Sequence, residues 1–258
     1  MTYHTKFLRE RQLMRLDSLL VERGLAPSRS KATALIKDGH VMVPGVTNPK
    51  KIKPSLEVAD DADVTVTTTD MGYVSRGAEK LKAILPATGF DFKHKVVLDI
   101  GASTGGFTQL SLEEGAQQVF AVDVGTGQLA DALKNDPKVV NLEKTDARNL
   151  SHKDIPTEPH VLLCDVSFIS STRILPHVLA TFPSISDVFV LVKPQFELTQ
   201  QDVGKGGIVR SKERQLDALE SVKQCLQDCG FETPTFVKAP QAKQTKNQEF
   251  ILHGRKPA

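Results

Sequence analysis

Apolar and polar positions follow two different patterns along the chain. Near the N-terminus, helical spacing predicts one short helix over 15–21 and a second that begins after Ser28 and stops at Gly39. The VMV segment at 41–43 and the alternating VTVT at 64–67 predict short strands separated by turns. This part of the chain is therefore predicted to be a small α+β domain.

Beyond residue 70 the pattern changes to continuous apolar runs that recur about every 20 residues. The runs are KVVLDI at 95, QVFAVD at 118, VVNLEK at 139, HVLLCD at 160 and VFVLVK at 188. Helical patterns lie between them, which is typical of parallel strands buried on both faces. The predicted fold class is α/β, a doubly wound and mostly parallel sheet, with a final helix before Gly230 and last strands near 235 and at 249–252.

The same patterns suggest domain boundaries. Residues 1–13 carry charges without a convincing period and are expected to be a flexible extension. The small domain is expected over 14–70, and the α/β domain over 71–258.

Charge is distributed unevenly, although the net charge is only +2. From Lys6 to Lys53 there are eleven lysines and arginines against four acidic residues, a local charge of +7, which favours a polyanionic partner for the small domain. No apolar run is long enough to span a bilayer, so a cytoplasmic protein without a membrane partner is expected. Three cysteines without ligand spacing predict neither a disulfide framework nor a metal site.

The candidate ligand site follows the first apolar strand, in the segment LDIGASTGGFT at 98–108. Glycines between a strand and a helix let the backbone approach a ligand and leave helix N-terminal amides pointing at it. The spacing G-x-x-x-G-G differs from the G-x-G-x-x-G of dinucleotide enzymes, so no pyrophosphate is implied.

Aspartates end the next three strands, at the sheet edge where ligands bind in this fold class. Asp123 lies 22 residues after Gly101, a separation at which a carboxylate accepts from both ribose hydroxyls. Asp146 is expected to accept from an adenine amino group, and Asp165 to lie next to the reacting group.

Several motifs together resemble the TlyA, or hemolysin A, family of ribosomal RNA methyltransferases: GASTGGFT, AVDVG, CDVSF, LVKPQFE and NQEF. In that family an FtsJ-like, Rossmann-like methyltransferase domain follows an RNA-binding domain of the kind found in small-subunit ribosomal protein four, which RLDSLLVERGLAPSRSKATALIKDGHV matches. The resemblance covers nearly the whole chain from Met14. It implies 2′-O-methylation of a ribose, that of a cytidine, in ribosomal RNA or ribosomal subunits, with S-adenosylmethionine as cofactor.

The resemblance also implies roles for individual residues. The catalytic set is Lys80, Asp165, Lys193 and Glu249. The cofactor-binding set is Gly101, Ala102, Ser103, Gly105, Gly106, Phe107, Asp123, Val124, Asp146, Ala147 and Asp165. The expected RNA contacts come from charge and not from the resemblance: Arg15, Arg29, Lys31, Lys37, Lys51 and Lys53 in the basic small domain, and Lys205 in the glycine-rich loop at 200–210, for which a flexible crossover is the alternative interpretation.

Some alternatives remain open. Lys82 is close enough in sequence to rival Lys80, and Cys164 is the candidate nucleophile that carbon-5 methylation of cytosine would need. Methylation of a base amino group is disfavoured, because Asp165-Val166-Ser167-Phe168 stands where such enzymes carry Asn/Asp-Pro-Pro-aromatic. The competing functions are a ribosome-binding protein without activity and a haemolysin, the latter suggested only by the family's name.

Overall fold

The structure, a computed structural model, describes residues 12–26, 28–37, 39–48, 51–66, 72–204, 206–240 and 247–257. The chain divides into two compact units, with the border between Gly72 and Tyr73.

The N-terminal unit packs two helices and four short strands around its own apolar core. Its elements are β1 (Leu13–Arg15), α1 (Leu16–Glu22), α2 (Arg29–Lys37), β2 (Val41–Met42), β3 (Glu57–Ala59) and β4 (Thr65–Val66). β1 pairs antiparallel with β3, and β2 pairs antiparallel with β4. Leu16, Leu20 and Ala32 are completely buried in this core, which explains the helical spacing of the apolar residues.

One detail of the N-terminal unit differs from the sequence prediction. Leu13 was expected in the extension and Arg15 at the start of a helix, but both lie in β1, opposite Ala59 and Glu57. The α-helix begins one residue later, at Leu16. The three residues of β1 carry no measurable period, so only the tertiary pairing defines this strand, whereas the strands expected in VMV and VTVT correspond to β2 and β4.

The C-terminal unit alternates strands and helices, as predicted. Its elements are α3 (Gly77–Thr88), β5 (Val96–Ile100), α4 (Gly106–Glu113), β6 (Gln118–Val122), α5 (Asp131–Lys134), β7 (Val139–Leu142), β8 (Val161–Cys164), α6 (Leu175–Thr181), β9 (Asp187–Val192), α7 (Pro194–Glu197), α8 (Lys212–Asp228), β10 (Glu232–Lys238) and β11 (Phe250–Arg255). None of the helices in the described ranges is long and apolar enough to cross a membrane.

Seven strands form one sheet in the order β10-β11-β9-β8-β5-β6-β7. The five strands from β9 to β7 are parallel, whereas β11 runs antiparallel to both β9 and β10. The chain first moves outward from β5 through β6 to β7 and then returns to β8 on the other side of β5. This reversal places a ligand crevice at the carboxyl ends of β5 and β8.

Successive strand residues face opposite layers of helices. On one face, Leu162 and Val190 pack with residues of α6 and α8; on the other, Val161 and Phe189 pack with residues of α3 and α4. Residues of β5, β8 and β9 are buried along their whole lengths, which is why these strands appear as continuous apolar runs. The doubly wound fold class predicted from the pattern is confirmed.

Candidate active site

The glycine segment after β5 allows two loops to touch. Gly101 has φ +79°, and a Cβ at this position would lie 2.5 Å from the carbonyl oxygen of Asp165. A side chain is therefore excluded, and the backbone after β5 meets the backbone after β8. Gly105 caps α4 with φ +96° and leaves space for the side chains of Leu129 and Leu133.

Two cavities open around these loops. The larger, about 690 Å³, has the size of an ordinary small-molecule site. Its lining includes seven predicted cofactor residues: Gly101, Ser103, Asp123, Val124, Asp146, Ala147 and Asp165. The smaller, about 120 Å³, is lined by Gly101, Ala102, Ser103, Gly106, Phe107 and Asp165, together with Ser75 and Gly77 from the segment before α3. Gly105 is not among the described residues that line either cavity, and its part in cofactor binding stays a prediction.

Asp123 stands at the end of β6 as expected. Its two carboxylate oxygens accept from backbone amides, Oδ2 from Ser103 at 2.9 Å and Oδ1 from Gly125 at 2.7 Å. Each carboxylate oxygen has a further lone pair, so the group can also accept from a diol. The amide bonds hold it in place for that purpose.

Asp146 also lines the larger cavity, but its carboxylate is already engaged. The Arg148 guanidinium donates to it from Nη2 at 2.5 Å and from Nε at 3.0 Å, and the Arg148 backbone amide donates at 3.0 Å. These bonds, the side-chain ones first, lower the pKa of Asp146 to about 2. Since Asp146 caps a 3₁₀ turn at Ala147–Asn149, its carboxylate has a structural partner that the sequence pattern did not indicate.

Asp99, two residues before Gly101, carries an unused acceptor inside the protein. Its Oδ2 accepts from the Thr108 hydroxyl at 2.6 Å, whereas Oδ1 is buried without a hydrogen-bond partner. Burial is the largest cause that raises the pKa of this carboxyl to about 7, with smaller contributions from the nearby Asp165 and Asp123 and against the opposing bonds from Thr108. Three carboxyl groups close together favour a cationic ligand. S-adenosylmethionine carries a sulfonium and an ammonium, so the residues present fit this cofactor.

Lys193 follows β9 and is nearly buried, with 8% of its surface exposed. Its Nζ lies 2.6 Å from Asp165 Oδ1 and donates to Ser167 Oγ at 2.9 Å. Two predicted catalytic residues from neighbouring strand ends are therefore in direct contact, beside the cavity that Asp165 and Ser167 line.

The other two predicted catalytic residues also form a pair. Lys80 Nζ on α3 lies 2.5 Å from Glu249 Oε2, and both side chains are about one-fifth exposed. The register between β9 and β11 pairs Val192 with Phe250, so Lys193 and Glu249 occupy the next facing positions. The four predicted catalytic residues consequently meet at one edge of the sheet as two lysine–carboxylate pairs.

The structure also discriminates between rival residues. Lys82 donates to the Tyr73 hydroxyl at 3.3 Å, and Lys80 is the lysine that reaches Glu249. Cys164 is completely buried, and burial raises the pKa of its thiol well above the ordinary value. A thiol without access or thiolate character is not a nucleophile, so the arrangement does not support cysteine-dependent base methylation.

Two neighbouring residues of the site were missed by the sequence prediction. Ser167 contacts Lys193, and Phe168 lines the larger cavity with 92% of its surface exposed and φ +66°. An exposed aromatic residue with left-handed backbone is rare outside functional sites. Both residues follow Asp165, the aspartate that ends β8, by two and three positions. This position in the sequence is the feature that could have identified them as site residues.

The expected RNA contacts lie mostly on the surface of the N-terminal unit. Arg15 and Arg29 both bind the buried carboxylate of Asp17, at 2.8 and 3.2 Å, while about half or more of each arginine side chain stays exposed. The bond from Arg15 is the largest cause that lowers the pKa of Asp17 to about 2. The remaining lysines differ in exposure: Lys37, Lys51 and Lys53 are exposed and Lys31 is partly buried. Lys205 lies outside the described residues.

Comparison with known proteins agrees with this geometry. A 16S/23S rRNA (cytidine-2'-O)-methyltransferase, TlyA, from Mycobacterium tuberculosis is 39% identical over 92% of this chain and 88% of its own. Hemolysin A of Brachyspira hyodysenteriae is 37% identical over 93% of this chain and 99% of its own. A solved structure from Streptococcus thermophilus, assigned to the hemolysins, superposes with a TM-score of 0.70 at 35% identity, covering 95% of this chain and 88% of that one.

Family profiles match both units. The S4 domain matches residues 14–64, and the FtsJ-like methyltransferase family matches residues 73–256, including the glycine segment and all four residues of the two lysine–carboxylate pairs. The chain belongs to the FtsJ-like methyltransferases, carries an S4 domain, and is an enzyme whose cofactor is S-adenosylmethionine.

Proposed function

We propose that this enzyme methylates the 2′-hydroxyl of a ribose, that of a cytidine, in ribosomal RNA. The observation that carries the proposal is the pair of lysine–carboxylate contacts, Lys193 with Asp165 beside the cofactor cavity and Lys80 with Glu249 in the lining of a second cavity. The relative from Mycobacterium tuberculosis is named for this reaction on cytidine, which supports the choice of nucleotide.

Methyl transfer to a ribose hydroxyl requires residues of these types. S-adenosylmethionine supplies a methyl group already activated on sulfur, so a ribose hydroxyl needs alignment and removal of its proton. Lys193 holds the 2′-oxygen and either accepts its proton or stabilises the developing alkoxide, and Asp165 keeps the lysine in place. Lys80 and Glu249 form the second pair at the same edge.

The N-terminal unit binds the RNA. Residues 14–70 form the RNA-binding domain and residues 71–258 the methyltransferase domain. Arg15, Arg29, Lys31, Lys37, Lys51, Lys53 and Lys205 contact phosphates, which position the RNA without specifying its sequence. The partner is ribosomal RNA within a ribosomal subunit, in the cytoplasm. The exposed ring of Phe168 suits stacking against an unpaired base.

The decisive experiment is transfer of labelled methyl from S-adenosylmethionine to purified ribosomal subunits and to free ribosomal RNA. Label in one alkali-resistant nucleotide, absent with Lys193→Ala, is the expected result, because a methylated 2′-oxygen cannot attack the neighbouring phosphate. Lys80→Ala should also lose the label, and Lys82→Ala is its matched control, since this lysine lies on the same helix as Lys80 but contacts Tyr73. Label in an alkali-sensitive nucleotide would show that the enzyme methylates a base and not a ribose. Cofactor binding without label on any RNA would indicate a binding protein that lacks activity.

A further inference from the structure

The loop after β8 contacts Lys193 through two side chains rather than through the catalytic aspartate alone. Besides Asp165 at 2.6 Å, the Ser167 hydroxyl accepts from Nζ at 2.9 Å. We propose that Ser167 is a positioning residue for the methyl transfer, whose hydroxyl sets the direction in which Lys193 presents its remaining N–H to the ribose oxygen. The inference rests on the proposed function and adds a residue to it.

The geometry of an ammonium group explains why a second partner matters. The three N–H donors of an ammonium rotate together about the bond to the side-chain carbon, so a hydrogen bond to one of them fixes the directions of the other two. Asp165 Oδ1 forms an ion pair with Nζ at 2.6 Å but accepts no hydrogen bond among the described residues, so the bond to Ser167 is the contact that fixes the orientation of the ammonium. A reaction that depends on the alignment of an oxygen is sensitive to this direction.

Ser167 is well placed for the task. Lys193 is nearly buried, whereas Ser167 is exposed and lines the cofactor cavity, so the residue that accepts from the ammonium also borders that cavity. The exposure has a second consequence, because replacing Ser167 by alanine removes one bond without opening a hole in the core.

The segment that follows Ser167 is anchored to the segment that follows Lys193. Glu197, four residues after Lys193, accepts from the backbone amide of Ser171 at 3.0 Å and from its hydroxyl at 2.8 Å. Contacts at positions 165, 167 and 171 therefore join the segments that follow β8 and β9.

The first test compares steady-state kinetics of Ser167→Ala, Ser167→Thr and the matched control Ser170→Ala on ribosomal subunits. Ser170 lies in the same loop, but its hydroxyl bonds to Glu197 and not to Lys193. We expect Ser167→Ala to lower kcat about 10- to 100-fold, while the KM for RNA and the Kd for S-adenosylmethionine stay within about twofold. Threonine, which keeps the hydroxyl, restores most of kcat, and Ser170→Ala keeps at least about half of it.

The second test needs neither cofactor nor RNA. In protein labelled with ¹⁵N-lysine, the Lys193 ammonium signal, assigned through Lys193→Arg, is expected to be sharp in the wild type and broadened in Ser167→Ala. Wild-type kcat in Ser167→Ala, an equal loss in Ser170→Ala, or an unchanged ammonium signal would overturn the inference. If the wild type forms no alkali-resistant nucleotide, the proposed function fails, and the ammonium signal still shows whether Ser167 holds Lys193.

Discussion

Two regions of this enzyme use the same contact, a cation on a carboxylate, in opposite ways. In the N-terminal unit the carboxylate of Asp17 is 5% exposed, and its partners Arg15 and Arg29 are 47% and 61% exposed. In the active site the cation is hidden together with the acid, and only 11% of the Lys193 side chain and 21% of Asp165 are exposed. A buried acid with exposed cations presents charge to a large partner, whereas a buried cation acts on one nearby atom.

The difference has an electrostatic cause. Exposed charges interact through water and salt, so the arginines attract a polyanion over a broad surface but discriminate little. A charge in a partly dry site interacts more strongly and with a fixed direction. Changes to the two regions should therefore separate catalysis from binding.

The largest expected effect is the loss of turnover when the buried pair is broken. Asp165→Asn leaves Lys193 with the hydroxyl of Ser167 but without its carboxylate, and kcat should fall about 10²- to 10⁴-fold. Initial rates at saturating RNA measure it. Asp217→Asn is the control, because Asp217 forms an exposed ion pair with Arg214, and its loss should leave kcat within about twofold. An equal loss in both variants would contradict a special role for the buried pair.

The next effect is on RNA affinity. Asp17→Asn removes the charge that holds Arg15 and Arg29, so we expect the Kd for ribosomal subunits to rise about tenfold while kcat at saturating RNA stays unchanged. Filter binding and saturation kinetics distinguish the two constants. Glu22→Gln, an exposed carboxylate on the same helix α1, serves as the control. A fall in kcat without a change in Kd would contradict the assignment of RNA binding to the N-terminal unit.

A smaller effect is expected from single lysines. Lys51→Ala and Lys53→Ala should each weaken RNA binding a few-fold and reduce the slope of log K against log salt by about one. Titrations at several salt concentrations measure the slope. Lys223→Ala is the comparison, because this lysine lies against the Phe236 ring and near Glu220. Equal slopes for all three variants would show that Lys51 and Lys53 do not contact the RNA.

The smallest expected effect is on stability in acid. The pKa of Asp17 in the folded protein is about 2, below its ordinary value. Its contribution to the free energy of unfolding is therefore complete above about pH 4 and is lost as the pH falls through about 2. Hydrogen exchange of peptides from the N-terminal unit should show faster opening in that window. Asp17→Asn should flatten this dependence, and a pH profile identical to the wild type would contradict the role of Asp17.

Much of the active site could be predicted because the residues that end strands can be identified from the sequence pattern. Residues such as Asp123 and Asp165 follow apolar runs, and parallel strands bring their carboxyl ends to one edge. The membership of Lys80 and Glu249 in one site came only from family resemblance, since 169 positions separate them and no local pattern connects a helix to a distant strand. The Arg148 contact with Asp146 escaped prediction because it depends on the geometry of a 3₁₀ turn.

The sequence by itself determined the two units, the order of the long strands and helices, and the side chains at the sheet edge, because burial imposes periodic patterns that extend over many residues. The tertiary structure alone decided which lysine meets which carboxylate, that Asp146 is already bound, that Cys164 is inaccessible, and that Ser167 touches Lys193. These are contacts between side chains distant in sequence or single bonds within a turn. Their energies depend on distances of a few ångströms, which no periodic pattern encodes.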